Sequence, residues 1–126
     1  MSSSDPTLAT IYEDTGITCM ARIMGDDATA ITQATTSAIT VAVFKNSNTS
    51  ATYTASLTVA DVVFDVYRTD ARWSYDATGY NFRFACVSSI FADGDATYRV
   101  EFKFTPTVGS QYFVIYKVDT VEVFTS

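Results

Sequence analysis

Apolar and polar residues alternate along several segments of the chain, the pattern of strands that bury one face and expose the other. It is clearest over 98–105, where Tyr, Val, Phe and Phe alternate with Arg, Glu, Lys and Thr. Similar runs predict strands at 16–24, 38–44, 51–59 and 81–87, and shorter ones at 28–33 and 121–124. The run at 111–118 is apolar on both faces, which predicts a strand that is central or covered on its second side.

The period changes in two places. Within 60–67, apolar residues recur at i, i+1, i+4 and i+5 from Val62, the spacing of a helical stripe. Thr58 and Asp61 have the spacing of a capping box, but valine is a poor helix former, so a short helix and a strand are equally favoured here. A second short helical segment is predicted at 88–91.

Composition supports the same fold class. Thr, Val, Ile and aromatic residues make up 58 of the 126 residues, and leucine occurs only twice. Side chains of this kind pack well on pleated sheets. We predict an all-β protein, an immunoglobulin-like β-sandwich of about seven strands with one or two short helical segments. Residues 1–10 are polar and aperiodic, so they are predicted to form a flexible N-terminal arm, and residues 11–126 the sandwich domain.

Charge and residue content narrow the classes of function. The net charge is −6 and no two basic residues are adjacent, which argues against nucleic acid or anionic membrane as a partner. The chain has no histidine, and we expect neither an enzyme nor a cofactor. The N-terminal sequence does not resemble a signal peptide. Without a secretion signal, Cys19 and Cys86 are expected to be buried free thiols rather than a disulfide.

Two carboxylate pairs are candidates for catalysis or metal binding. Asp26 and Asp27 lie in one predicted turn, and Asp93 and Asp95 lie in another. Paired acids in turns are usually solvated, and a calcium site needs more oxygen ligands than either turn offers. We therefore predict no catalytic residue and no metal site.

Three aromatic residues close together in the sequence have two interpretations. Trp73, Tyr75 and Tyr80 flank a glycine turn and are a candidate platform for stacking a sugar, as in carbohydrate-binding modules. The favoured interpretation is that they close one end of the sandwich.

Contact with another protein is the remaining class of function. An unpaired strand at a sheet edge can accept a strand from another chain, and a polar arm can wrap over a neighbour. We predict partner binding by arm residues Ser4, Asp5, Pro6, Thr7 and Leu8.

Several segments also resemble a known class of proteins. The segment 76–83 (Asp-Ala-Thr-Gly-Tyr-Asn-Phe-Arg) and the segment 98–106 with Gly109 resemble small β-sandwich virion proteins of tailed bacteriophages, and 58–70 and 39–44 are similar too. The resemblance implies a virion component, either a capsid cement or decoration protein or a head–tail or neck piece, and does not give its position in the particle. Together with the predicted arm, the sandwich and the lack of catalytic groups, it favours a capsid cement or decoration protein, made in the host cytoplasm, that binds the major capsid protein on the capsid exterior as a homo-oligomer or through repeated lattice contacts.

Two alternatives to the decoration protein remain open. One is a head–tail neck protein, or a tail adaptor or fibre-attachment protein, of the same virion. The other is the carbohydrate-binding module suggested by the three aromatic residues.

Overall fold

The structure, a computed structural model, describes residues 7–12, 15–24, 29–73 and 76–122, with the backbone alone at residues 7 and 8. Two short helical segments lie within these ranges, the α-helix α1 (Val59–Val62) and a 3-10 helix (Ser88–Phe91). No helix within the described ranges is long and apolar enough to cross a membrane. The strands are β1 (Thr7–Tyr12), β2 (Ile17–Ala21), β3 (Thr36–Lys45), β4 (Tyr53–Leu57), β5 (Val63–Arg68), β6 (Tyr80–Cys86), β7 (Thr97–Pro106) and β8 (Tyr112–Val121).

The strands form two sheets. The larger has the order β1-β8-β7-β3-β4 and the smaller the order β2-β6-β5. Every strand pair is antiparallel except β1 with β8, which is parallel. The smaller sheet has the arrangement of strands B, E and D of an immunoglobulin domain, and β8, β7, β3 and β4 that of G, F, C and C′. The prediction of an all-β sandwich with short helical segments is confirmed.

The core lies between the facing sides of the two sheets and is rich in aromatic rings. Phe82 of the smaller sheet packs edge-on against Phe102 and Phe104 of the larger sheet, at centroid distances of 4.9 and 5.1 Å. All three rings are fully buried. The hydroxyl of Tyr116 on β8 donates a 2.6 Å hydrogen bond to the carbonyl of Met20 on β2, so the contact between the sheets has a polar component as well.

The larger sheet follows the alternation in the sequence closely. Along β7, Tyr98, Val100, Phe102 and Phe104 are buried and the intervening residues are half-buried. β8 is central, as its apolar character on both faces predicted, because β1 pairs with its second edge.

The N-terminal boundary differs from the prediction. Residues 7–10, assigned to a flexible arm, belong to β1, where Thr7 pairs with Tyr116 and Tyr12 with Val121. The half-buried side chains of Ala9 and Ile11 pack against the core. β8 has backbone N–H and C=O groups on the edge that faces away from β7, and β1 pairs with them. Residues 7–12 therefore form a strand although their sequence has no clear alternation. Residues 1–6 lie outside the described residues.

The ambiguous segment 60–67 contains both predicted structures. α1 ends after one turn and the chain continues directly as β5, because Val63 takes extended dihedral angles. Val63 is fully buried and pairs with Phe82, where a β-branched residue is favoured in a strand. The Thr58 side chain makes no capping hydrogen bond, so the capping box does not form.

Three shorter predictions have different outcomes. The helical segment at 88–91 is confirmed as a 3-10 helix. The strand at 28–33 is reduced to a single bridge between Met24 and Ala30, followed by a turn. The strand at 121–124 is the end of β8 at Val121, and residues 123–126 lie outside the described residues.

Candidate interaction surfaces

The larger sheet ends in two strands that have one neighbour each among the described residues. These are β1 and β4. In β4, Thr54 and Ser56 are exposed and the alternate residues are half-buried against the core. Neither strand contains a lysine, an arginine or a proline, the residues that usually protect an edge from strand addition. Both edges therefore offer backbone hydrogen-bonding groups to another chain.

The predicted partner-binding residues lie at one of these edges. Thr7 and Leu8 open β1 and pair with Tyr116 and Lys117 of β8. Ser4, Asp5 and Pro6 lie outside the described residues. Thr7 and Leu8, the two members of this group that the structure describes, therefore belong to the sheet.

The β5 edge of the smaller sheet is different. Val63 pairs with Phe82 and Arg68 with Tyr80, so β5 advances by five positions where β6 advances by two, and the register is broken. β5 also carries the charged residues Asp65 and Arg68. A broken register and charged side chains both discourage the addition of another strand.

The predicted sugar platform is not supported by the burial of its residues. Tyr80 is only 1% exposed, so its ring offers no face to a ligand. The half-buried Trp73 ring packs against it at 5.7 Å, and the indole N–H donates to Asp76 at 3.1 Å. Tyr75 lies outside the described residues. Trp73 and Tyr80 instead pack together at one end of the sandwich, which corresponds to the favoured interpretation of the sequence.

Four of the five arginines come together around this end of the smaller sheet. We call Arg22, Arg68, Arg72 and Arg83 the arginine face. The guanidinium of Arg68 lies 4.1 Å from the centre of the Phe64 ring, and that of Arg83 lies 5.2 Å from the same ring. Stacking on an aromatic ring orients a guanidinium and leaves the N–H groups at its rim available.

Two aspartates are held within this face. The Arg72 guanidinium, with the Tyr80 hydroxyl, donates to Asp70 at 2.9 and 2.8 Å, and these bonds lower the pKa of that carboxyl to about 2. The ion pair with Arg22 at 2.7 Å, with the backbone N–H of Gly79, holds the pKa of Asp76 well below its usual range. Both carboxylates stay ionised at neutral pH and orient the surrounding arginines.

The turn before β6 depends on a glycine. Gly79 has φ +105°, and a Cβ placed on it would lie 2.2 Å from the carbonyl oxygen of Arg68. Only glycine tolerates this backbone conformation and this close approach. The turn brings the end of β5, with Arg68, next to the start of β6, and so helps to assemble the arginine face.

The sequence did not predict the arginine face. Its four members are separated in sequence by intervals of up to 46 residues, and no two basic residues are adjacent. Only the pairing of β2, β6 and β5 brings them together. Arg68 directly follows the predicted segment 60–67, and nothing in the sequence places it beside the other three arginines.

The opposite end of the sandwich is acidic. We call Asp93, Asp95, Asp119 and Glu122 the acidic end. The loop 93–95 packs against the end of β8, so closely that a Cβ on Gly94 would lie 2.6 Å from the Cα of Glu122. Asp93 pairs with Lys45 at 2.5 Å, and Asp119 accepts from the Thr97 hydroxyl at 2.8 Å.

These acids do not form a metal site. No group of three or more Cys, Asp and Glu side chains within the described ranges is close enough to hold a metal ion. The other carboxylate pair, Asp26 and Asp27, lies outside the described residues.

The two cysteines are buried free thiols, as predicted. They lie on β2 and β6 with their side chains towards the core, where Cys19 is 1% and Cys86 3% exposed. The hydrogen bond with Cys86, together with burial, raises the pKa of the Cys19 thiol well above its usual range. A buried protonated thiol is a poor nucleophile, so Cys19 acts as part of the core.

A shallow groove of about 410 Å³ lies between the segment 29–35 and the turn that joins β7 to β8. Its lining is uncharged and combines threonine hydroxyls with Pro106, Val108 and Tyr112. Nothing in the groove distinguishes one class of ligand from another.

Comparison with protein-family models, with curated proteins and with solved structures found no match to this chain.

Proposed function

We propose that this chain is a structural protein that holds larger neighbours together by contact and transforms no substrate. The observation that supports it best is that both edges of the larger sheet have no further strand beside them in the part of the chain that the structure describes; we call them free edges in this sense. β1 and β4 lie at opposite sides of the larger sheet, and both lack the charged residues and prolines that protect edges.

A sheet with two free edges suits a bridging role. Each edge can add a strand from a different neighbour, because strand addition uses backbone hydrogen bonds and requires little of the partner's sequence. The three strands between the edges form an antiparallel unit with a buried aromatic core, which keeps the two contact sites at a fixed separation. A rigid bivalent unit is effective where weak contacts are repeated over a lattice.

The more specific proposal is a capsid cement or decoration protein of a tailed bacteriophage, bound to the major capsid protein on the exterior of the shell. It rests on the resemblance of 76–83 and 98–106 to small virion proteins, and the free edges are compatible with it. The alternative position, at the neck or tail of the same particle, rests on the same resemblance.

Stoichiometry in purified particles tests the proposal. Quantitative mass spectrometry should find this chain at a copy number similar to that of the major capsid protein. A handful of copies per particle would move the protein to the neck or tail. Its absence from every particle would overturn the virion proposal altogether.

Charged substitutions on β4 test the role of the edge. In a Thr54→Lys/Ser56→Lys double variant, both lysines replace exposed side chains of the edge strand. We expect roughly tenfold fewer copies to bind particles stripped of the protein, because lysines on an edge discourage strand addition. The control is Ser37→Lys/Thr105→Lys, which places the same charges on the interior strands β3 and β7. Equal binding by both double variants would rule out the β4 edge as a contact.

A further inference from the structure

We propose that the arginine face binds the acidic end of a second copy of this chain, so that copies associate head to tail. The proposal does not depend on the particle that carries the protein, and it can fail or succeed independently of the function proposed above.

Charge is distributed unequally over the chain. The arginine face contains four arginines and the two aspartates they hold, Asp70 and Asp76. The nearby Asp65 accepts a hydrogen bond from the backbone N–H of Gln33 and is a third carboxylate beside the face. The described residues of this region therefore carry four positive and three negative charges, and the rest of the chain has four basic and eleven acidic residues. A locally positive face on a molecule of net charge −6 favours an acidic partner.

The described carboxylates do not pair with every arginine of the face. Arg22 forms an ion pair with Asp76, and Arg72 and Arg83 form ion pairs with Asp70, the latter at the longer distance of 3.9 Å. Arg68 is exposed, and among the described residues its guanidinium contacts the Phe64 ring and no carboxylate. A guanidinium oriented in this way is suited to bidentate binding of a carboxylate from another molecule.

The chain itself carries the complementary surface. β6 begins at Tyr80, beside the arginine face, and ends at Cys86, after which the 3-10 helix leads to Asp93. Arg68 pairs with Tyr80, and the strand from Tyr80 to Cys86 spans about 20 Å, so Arg68 and the acidic end lie towards opposite ends of the sandwich. Asp95 and Glu122 are exposed at the far end, and neither forms an ion pair with another described residue.

The position of the two surfaces determines the kind of assembly. Because the contact joins two different surfaces, it leaves one free surface of each kind on every dimer. Copies would then continue to add, which produces rings or open chains rather than a closed two-fold dimer. For a protein that works by repeated contacts, such an interaction would link copies on a common support.

Sedimentation velocity of the full chain tests the contact. We expect dimers and larger species at about 50 mM salt and monomers at about 500 mM, since exposed charge pairs are screened by salt. Arg68→Glu should weaken association by at least about tenfold. Lys103→Glu, the same type of charge change on the outer face of β7, should leave association within about twofold of the unchanged chain.

A mixing experiment separates this geometry from others. Asp95→Asn/Glu122→Lys removes the two exposed carboxylates of the acidic end that form no ion pair among the described residues and keeps the arginine face, whereas Arg68→Glu changes the arginine face and keeps the acidic end. Each variant alone should be monomeric. Mixed, they should form a 1:1 dimer and nothing larger, because only one compatible contact remains. Circular dichroism confirms that each variant is folded.

Three results would overturn the proposal. The first is an unchanged chain that stays monomeric at low salt up to the highest attainable concentration. The second is association that persists in Arg68→Glu. The third is a mixture that stays monomeric or forms species larger than a dimer.

Discussion

The larger sheet keeps a one-to-one register between β3 and β7 from Ala38 to Lys45, whereas the smaller sheet loses its register between β5 and β6. Backbone pairing dominates the first sheet. In the second, side chains bond to backbone groups where the strands diverge, as Asn81 does to Ile23. The regular sheet leaves its edges free, and the irregular sheet carries charged groups around its break. A regularly paired sheet thus suits binding through its backbone edges. An irregularly paired sheet suits binding through its side chains.

The core between the two sheets gives the largest expected effect. Phe102 contacts the rings of Phe82, Phe84 and Tyr116, and it is fully buried. Phe102→Ala should lower the free energy of unfolding by about 3–5 kcal/mol, because it removes a large buried ring and leaves a cavity. Urea denaturation followed by circular dichroism measures the change.

Phe113→Ala is the control for this substitution. Phe113 lies on β8, is 40% exposed and pairs with Lys103 next to Phe102. Phe113→Ala should lower the free energy of unfolding by less than about 1 kcal/mol. Similar losses in the two variants would show that the sheets do not depend on the aromatic core.

Hydrogen bonds from side chains in the smaller sheet give the next-largest expected effect on stability. The buried Asn81 amide accepts from the N–H of Ile23 at 2.8 Å and donates to its carbonyl at 2.9 Å. Asn81→Ala leaves both backbone groups without these partners and should cost about 1–3 kcal/mol. Hydrogen exchange should show faster exchange at Ile23 than in the unchanged chain.

Ser37→Ala is the matched deletion in the regular sheet. The exposed Ser37 hydroxyl donates to the carbonyl of Thr105 at 3.0 Å. Its removal should cost no more than about 0.5 kcal/mol, because water can replace an exposed partner. If Asn81→Ala costs as little, the contrast between the sheets is wrong.

The smallest effect concerns pH. The folded pKa of Asp70 is about 2, below its ordinary value of 3.8, because Arg72 and Tyr80 donate to the carboxylate. Because the pKa of Asp70 is lower in the folded protein, its ionised carboxylate stabilises the fold at pH values above the ordinary pKa. This contribution is lost as the pH falls through about 2. Asp70→Asn should therefore lower the Tm at pH 7, and its difference from the unchanged chain should shrink towards pH 2.

Thermal melts at pH 7, 4 and 2 measure this difference. Asp61→Asn removes an exposed carboxylate of α1 and controls for the change in net charge. A Tm difference for Asp70→Asn that stays constant over the whole range would contradict a role for the ionised carboxylate.

The sequence predicted the strands with regular alternation in both sheets and missed the elements without it, for a physical reason. Strands such as β7 alternate buried and half-buried residues with period 2, and that period is visible in the sequence. β1 has no clear alternation, and its pairing with β8 depends on residues more than 100 positions away. The break at β5 depends on contacts with β6 and on the turn at Gly79.

The candidate surfaces were predictable to different degrees. Edge strands follow from an open sandwich in general, but which strands lie at the edges depends on topology. The arginine face required the fold, because its members lie on separate elements. The sugar platform was predicted because its aromatic residues are close together in the sequence. Tyr80 is buried against Trp73, so closeness in the sequence did not show whether the rings are exposed to a ligand.

The parallel pairing of β1 with β8 has a mechanical consequence. Tension that pulls the residue 7 end of β1 away from the residue 121 end of β8 acts along both strands. In this shear geometry the paired positions from Thr7 to Tyr12 share the force and must give way together, rather than opening one after another. A protein joined to neighbours through these two ends would resist stretching of its support most strongly in that direction.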